Sequence, residues 1–210
     1  MESEMLNKLS AFIEENKGKR KFTQSVDLAI NFTNIDFSKQ ENKLNLDVNL
    51  PNGRGKALNV IVFADEKRIV DAAAAAGAKV IPGAQIQSMA NDKSALNELL
   101  GSTLLAQPSL MPQIARSLGS FLGPRNRIPK PLIGSDISTA IGAASSTITL
   151  RSKGKNLPTA HCSVGTESMP VDKIAANVDA VFNTVAKKVG KQNIKSMYIK
   201  MTMSKPLRLI

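Results

Sequence analysis

Leu50-Pro51-Asn52-Gly53-Arg54-Gly55-Lys56-Ala57-Leu58-Asn59-Val60-Ile61-Val62-Phe63-Ala64 is the stretch at which the chain changes texture. In its first half, Pro51 to Gly55 form a turn or hinge by chemistry, because Gly53, Gly55 and Asn52 permit backbone angles that other residues avoid. Gly53, Arg54 and Gly55 are its centre. The second half, from Asn59 to Ala64, is a continuous apolar run, as expected of a strand covered on both faces.

Upstream of the turn the pattern has a different period. Glu4–Asn16 reads as a helix, with Met5, Leu6, Leu9, Phe12 and Ile13 on one face and Gly18 placed to end it. Val26, Leu28, Ile30 and Phe32 then alternate with Asp27, Ala29 and Asn31. Leu44, Leu46, Val48 and Leu50 alternate with Asn45, Asp47 and Asn49. Both are half-buried strands and are expected to be antiparallel neighbours.

Downstream, strands alternate with helices. An Ala-rich helix over Glu66–Ala76 is stopped by Gly77, and Lys79–Gly83 reads as a second short strand. A polar helix near Lys93–Leu100 leads to a third strand, Thr103–Ala106, and further helices fall near Met111–Leu118 and Asp136–Ala144. This succession predicts a parallel α/β layer domain. From Thr147 the first texture returns. Ile148–Arg151 and Ala160–Val164 read as strands around the basic loop Arg151-Ser152-Lys153-Gly154-Lys155. Val171, Ile174, Ala175, Val178, Val181, Phe182 and Val185 share one helical face, and Tyr198–Met203 closes the chain as an alternating strand. The economical arrangement is one discontinuous domain, residues 1–57 with 148–210, into which an α/β domain of residues 58–147 is inserted.

Between two helices of the inserted part lies Gly123-Pro124-Arg125-Asn126-Arg127-Ile128-Pro129-Lys130-Pro131-Leu132. Each proline fixes its own φ and disfavours helix in the residue before it, so the segment is a stiff extended loop. Arg125, Arg127 and Lys130 at that spacing face solvent or a polyanion.

Composition narrows the function. The chain of 210 residues carries a net charge of +11. Residues 148–210 hold 11 basic and 3 acidic side chains, against near balance elsewhere. A clustered basic surface points to a phosphate-backbone partner. The single cysteine, Cys162, fits a reducing compartment. No apolar run reaches the roughly 20 residues that span a bilayer, so a cytoplasmic protein without a membrane partner is expected.

Catalytic chemistry finds no foothold. His161 and Cys162 are adjacent on a strand, so they point to opposite faces and cannot act as base and nucleophile. A metal site needs more ligands, so no metal and no cofactor are expected. No glycine-rich phosphate loop follows the strand ending at Ala64. A nucleotide-binding α/β enzyme is the alternative that a binding assay would test. A DNA-binding regulator is another, unsupported by any helix-turn-helix or basic zipper and testable by competition between duplex DNA and folded RNA. The few aromatics (Phe22, Phe32, Phe37 and Tyr198) are too scattered for a base-stacking platform. Recognition would rest on backbone charge, amides and shape. On the final strand Tyr198, Lys200 and Thr202 share the face expected toward RNA.

Taken together, Ala106-Gln107-Pro108-Ser109-Leu110-Met111-Pro112, Gly119 and the basic decapeptide resemble the signature of the large-ribosomal-subunit protein one family, RNA-binding proteins of the ribosome's mobile side stalk. Asn126 stands where the family usually has glycine. Asn tolerates positive φ better than most residues, so the turn is expected to survive. Lys21–Val26, Leu50–Lys56, His161–Gly165 and Tyr198–Met203 resemble the family as well. The likeness implies an α/β two-domain protein: a discontinuous α+β domain of split β-α-β type, with an inserted three-layer, Rossmann-like parallel domain. It implies a monomer when free that binds stalk ribosomal RNA near the exit site, assists release of deacylated tRNA and represses its own mRNA. The short turn at Arg54 and the lack of extensions suggest the archaeal branch. The RNA contacts it implies are Phe22, Gln24, Ser25, Arg151, Lys153, Lys155, His161, Ser196, Thr202, Met203 and Ser204. Gln24 replaces a common Glu, and Ser204-Lys205-Pro206 replaces a usual Gly-Pro pair.

Overall fold

The computed structural model describes residues 3–37, 39, 42, 44–56, 59–90, 92–132, 137–152 and 157–210. In chain order the first elements are α1 (Ser3–Asn16), β1 (Ser25–Phe32), β2 (Asn45–Asn49), β3 (Val60–Phe63), α2 (Lys67–Ala75) and β4 (Lys79–Ile81). Then come α3 (Gly83–Met89), α4 (Lys93–Gly101), β5 (Thr103–Ala106), α5 (Met111–Leu122), β6 (Lys130–Pro131) and α6 (Ile137–Ser146). The chain closes with β7 (Thr147–Arg151), β8 (Thr159–Thr166), α7 (Val171–Val189), β9 (Ile194–Met201) and β10 (Leu207–Arg208). The fold is α/β, and the chain divides into two compact units, Met1–Lys56 with Ser146–Ile210, and Ala57–Ser145. No helix among the described residues is long and apolar enough to cross a membrane.

The first unit is built on an antiparallel sheet of order β10-β9-β1-β8. Because strand side chains alternate, Val26, Leu28, Ile30 and Phe32 all turn inward, joined by Ala160, Cys162 and Val164 of β8 and Met197, Ile199 and Met201 of β9. Against this face pack Leu9, Phe12 and Ile13 of α1 and Ile174, Val178, Val181 and Val185 of α7. Burying each such side chain contributes about 1.5–3 kcal/mol. Truncating one, as in Leu28→Ala, costs about 2–5 kcal/mol. Asp172 in the first turn of α7 and Lys187 and Lys188 in its last complement the helix dipole, and Gly190 ends the helix at φ 87°.

The two N-terminal strands, expected as antiparallel neighbours, do not pair. Both edges of β1 are occupied, by β8 and β9, while β2 forms a separate two-stranded ribbon with β7 in the register Leu46↔Leu150 and Val48↔Ile148. Alternation fixes which face a strand buries, but a long loop leaves its neighbour open. The turn at Gly53–Gly55 is pinned within this unit. Gly53 and Gly55 take φ of 63° and 68°, and the buried Asn177 amide nitrogen donates to the carbonyls of Gly53 and Val164, both at 2.8 Å. The Arg54 guanidinium donates to the Thr147 carbonyl at 2.9 Å.

The second unit has a parallel sheet of order β4-β3-β5-β6. All four residues of β3 are buried because its two faces feed different clusters. Ile61 and Phe63 pack with Ile86, Leu99, Ile114 and Leu118, and Val60 and Val62 with Ala73, Ile137 and Ile141. Two features correct the expectation. Gly83 opens a short helix, α3, rather than ending a strand. Lys130 and Pro131 leave the loop state and pair with Leu105 and Ala106 as an edge strand, a place where proline's missing N–H is harmless. The tight part of the loop is Gly123–Asn126, where Asn126 takes φ 54° and its N–H bonds the Gly123 carbonyl at 2.9 Å. Asn126 therefore closes the turn at positive φ, as expected.

Candidate nucleic-acid interface

If the inward positions of the antiparallel sheet are apolar, the outward ones are what a partner meets. The register sets them in rows. His161 of β8, Ala29 of β1, Tyr198 of β9 and Arg208 of β10 lie side by side. Ser163, Asp27 and Lys200 form the next row, and Thr159, Asn31 and Ser196 the one beyond Ala29 on the other side. Over the small Ala29 side chain the surface opens into a hollow of about 510 Å³, reached by His161, Tyr198, Lys200 and Thr202.

One end of this face is held by a clamp. The Gln24 side-chain nitrogen donates to the Asn16 carbonyl at 3.2 Å and to the Glu167 carboxylate at 3.1 Å. Its oxygen accepts the Met203 N–H at 3.1 Å. The Thr202 hydroxyl oxygen accepts the Ser25 N–H at 3.2 Å. The Ser204 hydroxyl accepts the Met201 N–H at 2.8 Å. These bonds stop the strand expected over Tyr198–Met203 at Met201 and turn the chain outward. Met203 is consequently 57% exposed, a large apolar side chain in solvent, as is Phe22 at 50%.

The sequence-derived site residues thus fall into groups. His161, Lys200 and Thr202 line the hollow. Phe22 and Met203 project at the clamp end, where Ser25 and Ser204 fix the turn. Gln24 and Ser196 are only 2% and 5% exposed. Gln24 spends its amide inside the clamp, and the Ser196 hydroxyl accepts from Asn31 at 3.0 Å, so both shape the surface from beneath. Arg151 lies apart on the β2–β7 ribbon, its Nε donating to Asn45 at 3.0 Å. Lys153 and Lys155 lie outside the described residues. In the second unit Arg125, Arg127 and Lys130 are all exposed. The Arg125 guanidinium lies 4.1 Å from the centre of the Phe121 ring and donates to its carbonyl at 3.0 Å.

Two residues that sequence reasoning passed over matter here. Glu167 is 7% exposed and orients Gln24 from a position 143 residues away, a partnership no local pattern announces. Asp27 stands in the middle of the outward face, where alternation alone places it. Burial pushes its carboxyl above the usual carboxylate value, while a hydrogen bond from Ser163 and the charges of Lys200 and His161 pull it back. Cys162 turns inward from the exposed His161, and burial, with a smaller push from Asp27, raises its thiol to about 12, which keeps it protonated and inert. Among the described residues no group of three or more His, Cys, Asp or Glu side chains could hold a metal ion.

The model of the ribosomal protein L1p/L10e family matches residues 10–205. The chain belongs to the ribosomal protein L1 family. It is 37% identical to the large ribosomal subunit protein uL1 of Methanocella arvoryzae over 93% of both chains. It is 36% identical to the uL1 proteins of Thermoplasma volcanium, over 97% of this chain and 95% of the relative, and of Methanobrevibacter smithii, over the whole of both. These relatives are archaeal, the branch expected from the short turn at Arg54. The L1 family is ribosomal and structural rather than enzymatic.

Proposed function

We propose that this protein is a non-catalytic component of the large ribosomal subunit. It binds the ribosomal RNA of the mobile side stalk beside the exit site through the outward face and clamp end of its first unit. There it assists release of deacylated tRNA. Off the ribosome it is a monomer that represses its own mRNA through an RNA site resembling the ribosomal one. The observation that carries the reading is the clamp. It spends five hydrogen bonds to present Thr202 and the bare Met203 side chain beside a polar face, within the segment that holds 11 basic and 3 acidic residues. An apolar thioether held in solvent suits packing against an unstacked base, and the surrounding amides and cations suit a folded RNA backbone. The uL1 names of the relatives support the same assignment. Arg125, Arg127 and Lys130 form a secondary phosphate contact.

The nucleotide-enzyme alternative meets an obstacle at the carboxyl ends of β3 and β5, where open α/β sheets take ligands. There the Gln107 side-chain oxygen caps the Asp65 and Glu66 N–H groups at 3.2 and 3.4 Å. The Asp65 carboxylate caps the Gly83 N–H at 2.6 Å. The Asp65, Glu66 and Gly83 amides at these strand ends thus already have side-chain acceptors.

Capture of RNA from ribosome-containing lysate, with the bound RNA sequenced, tests the assignment, and enrichment of one large-subunit segment is expected. In a salt series, affinity for that segment falls as counterions return, yet stays above affinity for unrelated duplex. Equal affinity for both at every salt concentration reduces the protein to a generic polyanion binder.

A further inference from the structure

An RNA-binding face gains from cations and loses from anions, yet the central strand of this one carries a carboxylate. Asp27 is flanked in register by Ser163 on β8 and Lys200 on β9. The next outward position on its own strand is Ala29, which is too small to cover it, and the hollow above lies open to the partner. Holding a half-buried carboxylate there costs desolvation, and the charge repels every phosphate that approaches. A neutral Asn, Ser or Thr would fit the strand position without either cost. The single Ser163 hydroxyl proton beside it is shared with the Val26 carbonyl at 3.4 Å, and a carboxylate has about four acceptor positions, so capacity remains on the side of the hollow.

We infer that Asp27 is a specificity-determining residue of the RNA interface, its carboxylate accepting a hydrogen bond from a neutral N–H or O–H donor of the RNA. A ribose 2′-hydroxyl and the amino edge of a guanine both have this chemistry, whereas an unprotonated phosphate has none to donate. Lys200 and His161 beside it hold the neighbouring phosphates, so that backbone charge gives affinity and Asp27 rejects strands that lack the donor. The inference rests on the RNA-binding assignment above and adds to it the group that is read.

The test uses the full chain and transcripts of large-subunit ribosomal RNA in two pools. One pool carries scattered 2′-deoxy nucleotides, the other scattered inosine in place of guanosine, which removes the 2-amino group. Sequencing the bound fractions maps where each change excludes an RNA. With the unaltered protein, exclusion is expected at one or two positions in one pool, and the pool identifies the donor. With Asp27→Ala those positions no longer matter. Affinity for the unmodified transcript falls about tenfold, the loss expected for a charge-assisted hydrogen bond. The slope of affinity against salt does not become shallower, because no phosphate contact is lost. Asp27→Asn, which keeps one acceptor oxygen and the side-chain shape, loses only a few-fold and serves as the folded control if the alanine variant melts early. Undiminished binding by both variants, an exclusion map that Asp27→Ala leaves intact, or equal losses on the transcript and on unrelated duplex would each overturn the inference. Should the unaltered protein fail to prefer the ribosomal transcript over duplex, it is the RNA-binding assignment itself that falls.

Discussion

The side-chain oxygen of Gln24 accepts the backbone N–H of Met203 at 3.1 Å, across 179 residues of sequence. This bond needs the Gln24 amide in one orientation only. Its nitrogen faces the Asn16 carbonyl and the Glu167 carboxylate, neither of which can accept from an oxygen. Glutamine at this position is therefore matched to a carboxylate on the other side.

That matching yields the first prediction. Gln24→Glu sets two carboxylates against each other at the present 3.1 Å contact and leaves the Asn16 carbonyl without its donor. The expected cost is about 1–3 kcal/mol of stability, together with weaker RNA binding. Adding Glu167→Gln supplies a donor amide opposite the new carboxylate and restores most of both. Urea denaturation and RNA affinities for the two single variants and the pair make a complete cycle. A double variant no better than Gln24→Glu alone would refute the pairing.

Thr202→Val is expected to weaken specific RNA binding far more than Arg125→Ala. Valine keeps the shape of threonine beside the hollow but removes the hydroxyl that accepts the Ser25 N–H. The cost is about 1–3 kcal/mol in RNA affinity, with little change in stability because the exposed Ser25 N–H can turn to water. Arg125 is exposed in the other unit, and its loss removes about one unit of salt slope and little specificity. Dissociation constants with parallel thermal melts compare the two. A larger loss for Arg125→Ala would move the primary contact to the basic loop.

A chain in which residues 1–56 run through a short Gly-Ser linker into residues 146–210 is expected to fold and to keep most RNA affinity. The four strands of the antiparallel sheet, the β2–β7 ribbon, α1 and α7 all belong to these two segments. An unfolded circular dichroism spectrum would show that the inserted unit is needed for more than connection.

Cys162 provides a pH probe. Its folded value of about 12 lies above the ordinary 9.0, so the folded state keeps a proton that the unfolded chain releases between those limits. The thiol's contribution to stability is complete below pH 9 and is lost as pH rises toward 12. At pH 8 a thiol reagent should label the native protein only at the rate of its unfolding, and promptly in denaturant. Prompt native labelling would contradict the burial of Cys162 beneath the sheet.

Much of the architecture is legible from spacing. The alternation of Val26 to Phe32 marks which side of β1 is buried, the even burial of Val60 to Phe63 marks a strand covered twice, and Asn126 reads as a residue able to take positive φ. What escapes is non-local. Nothing in the run from Leu44 to Leu50 says that its partner is β7 rather than β1, because strand identity depends on loops and on competing edges. The α3 helix is only 7 residues long, too short for a periodic signal. In the interface, the alternating face of β9 is readable up to Lys200. The turn at Met201 is not, since it depends on Ser204 and on the buried amide of Gln24.

The position of β1 has a consequence for biosynthesis. Both of its hydrogen-bonded neighbours, β8 and β9, leave the ribosome after residue 158, long after the strand itself. At the usual pace of synthesis the N-terminal segment waits roughly ten seconds with two bare edges and an apolar face. The parallel sheet of Ala57–Ser145 has all its strands by then and can form first. Lys19, Arg20 and Lys21 stand just ahead of β1, the kind of flanking like charge that disfavours the addition of one exposed strand to another.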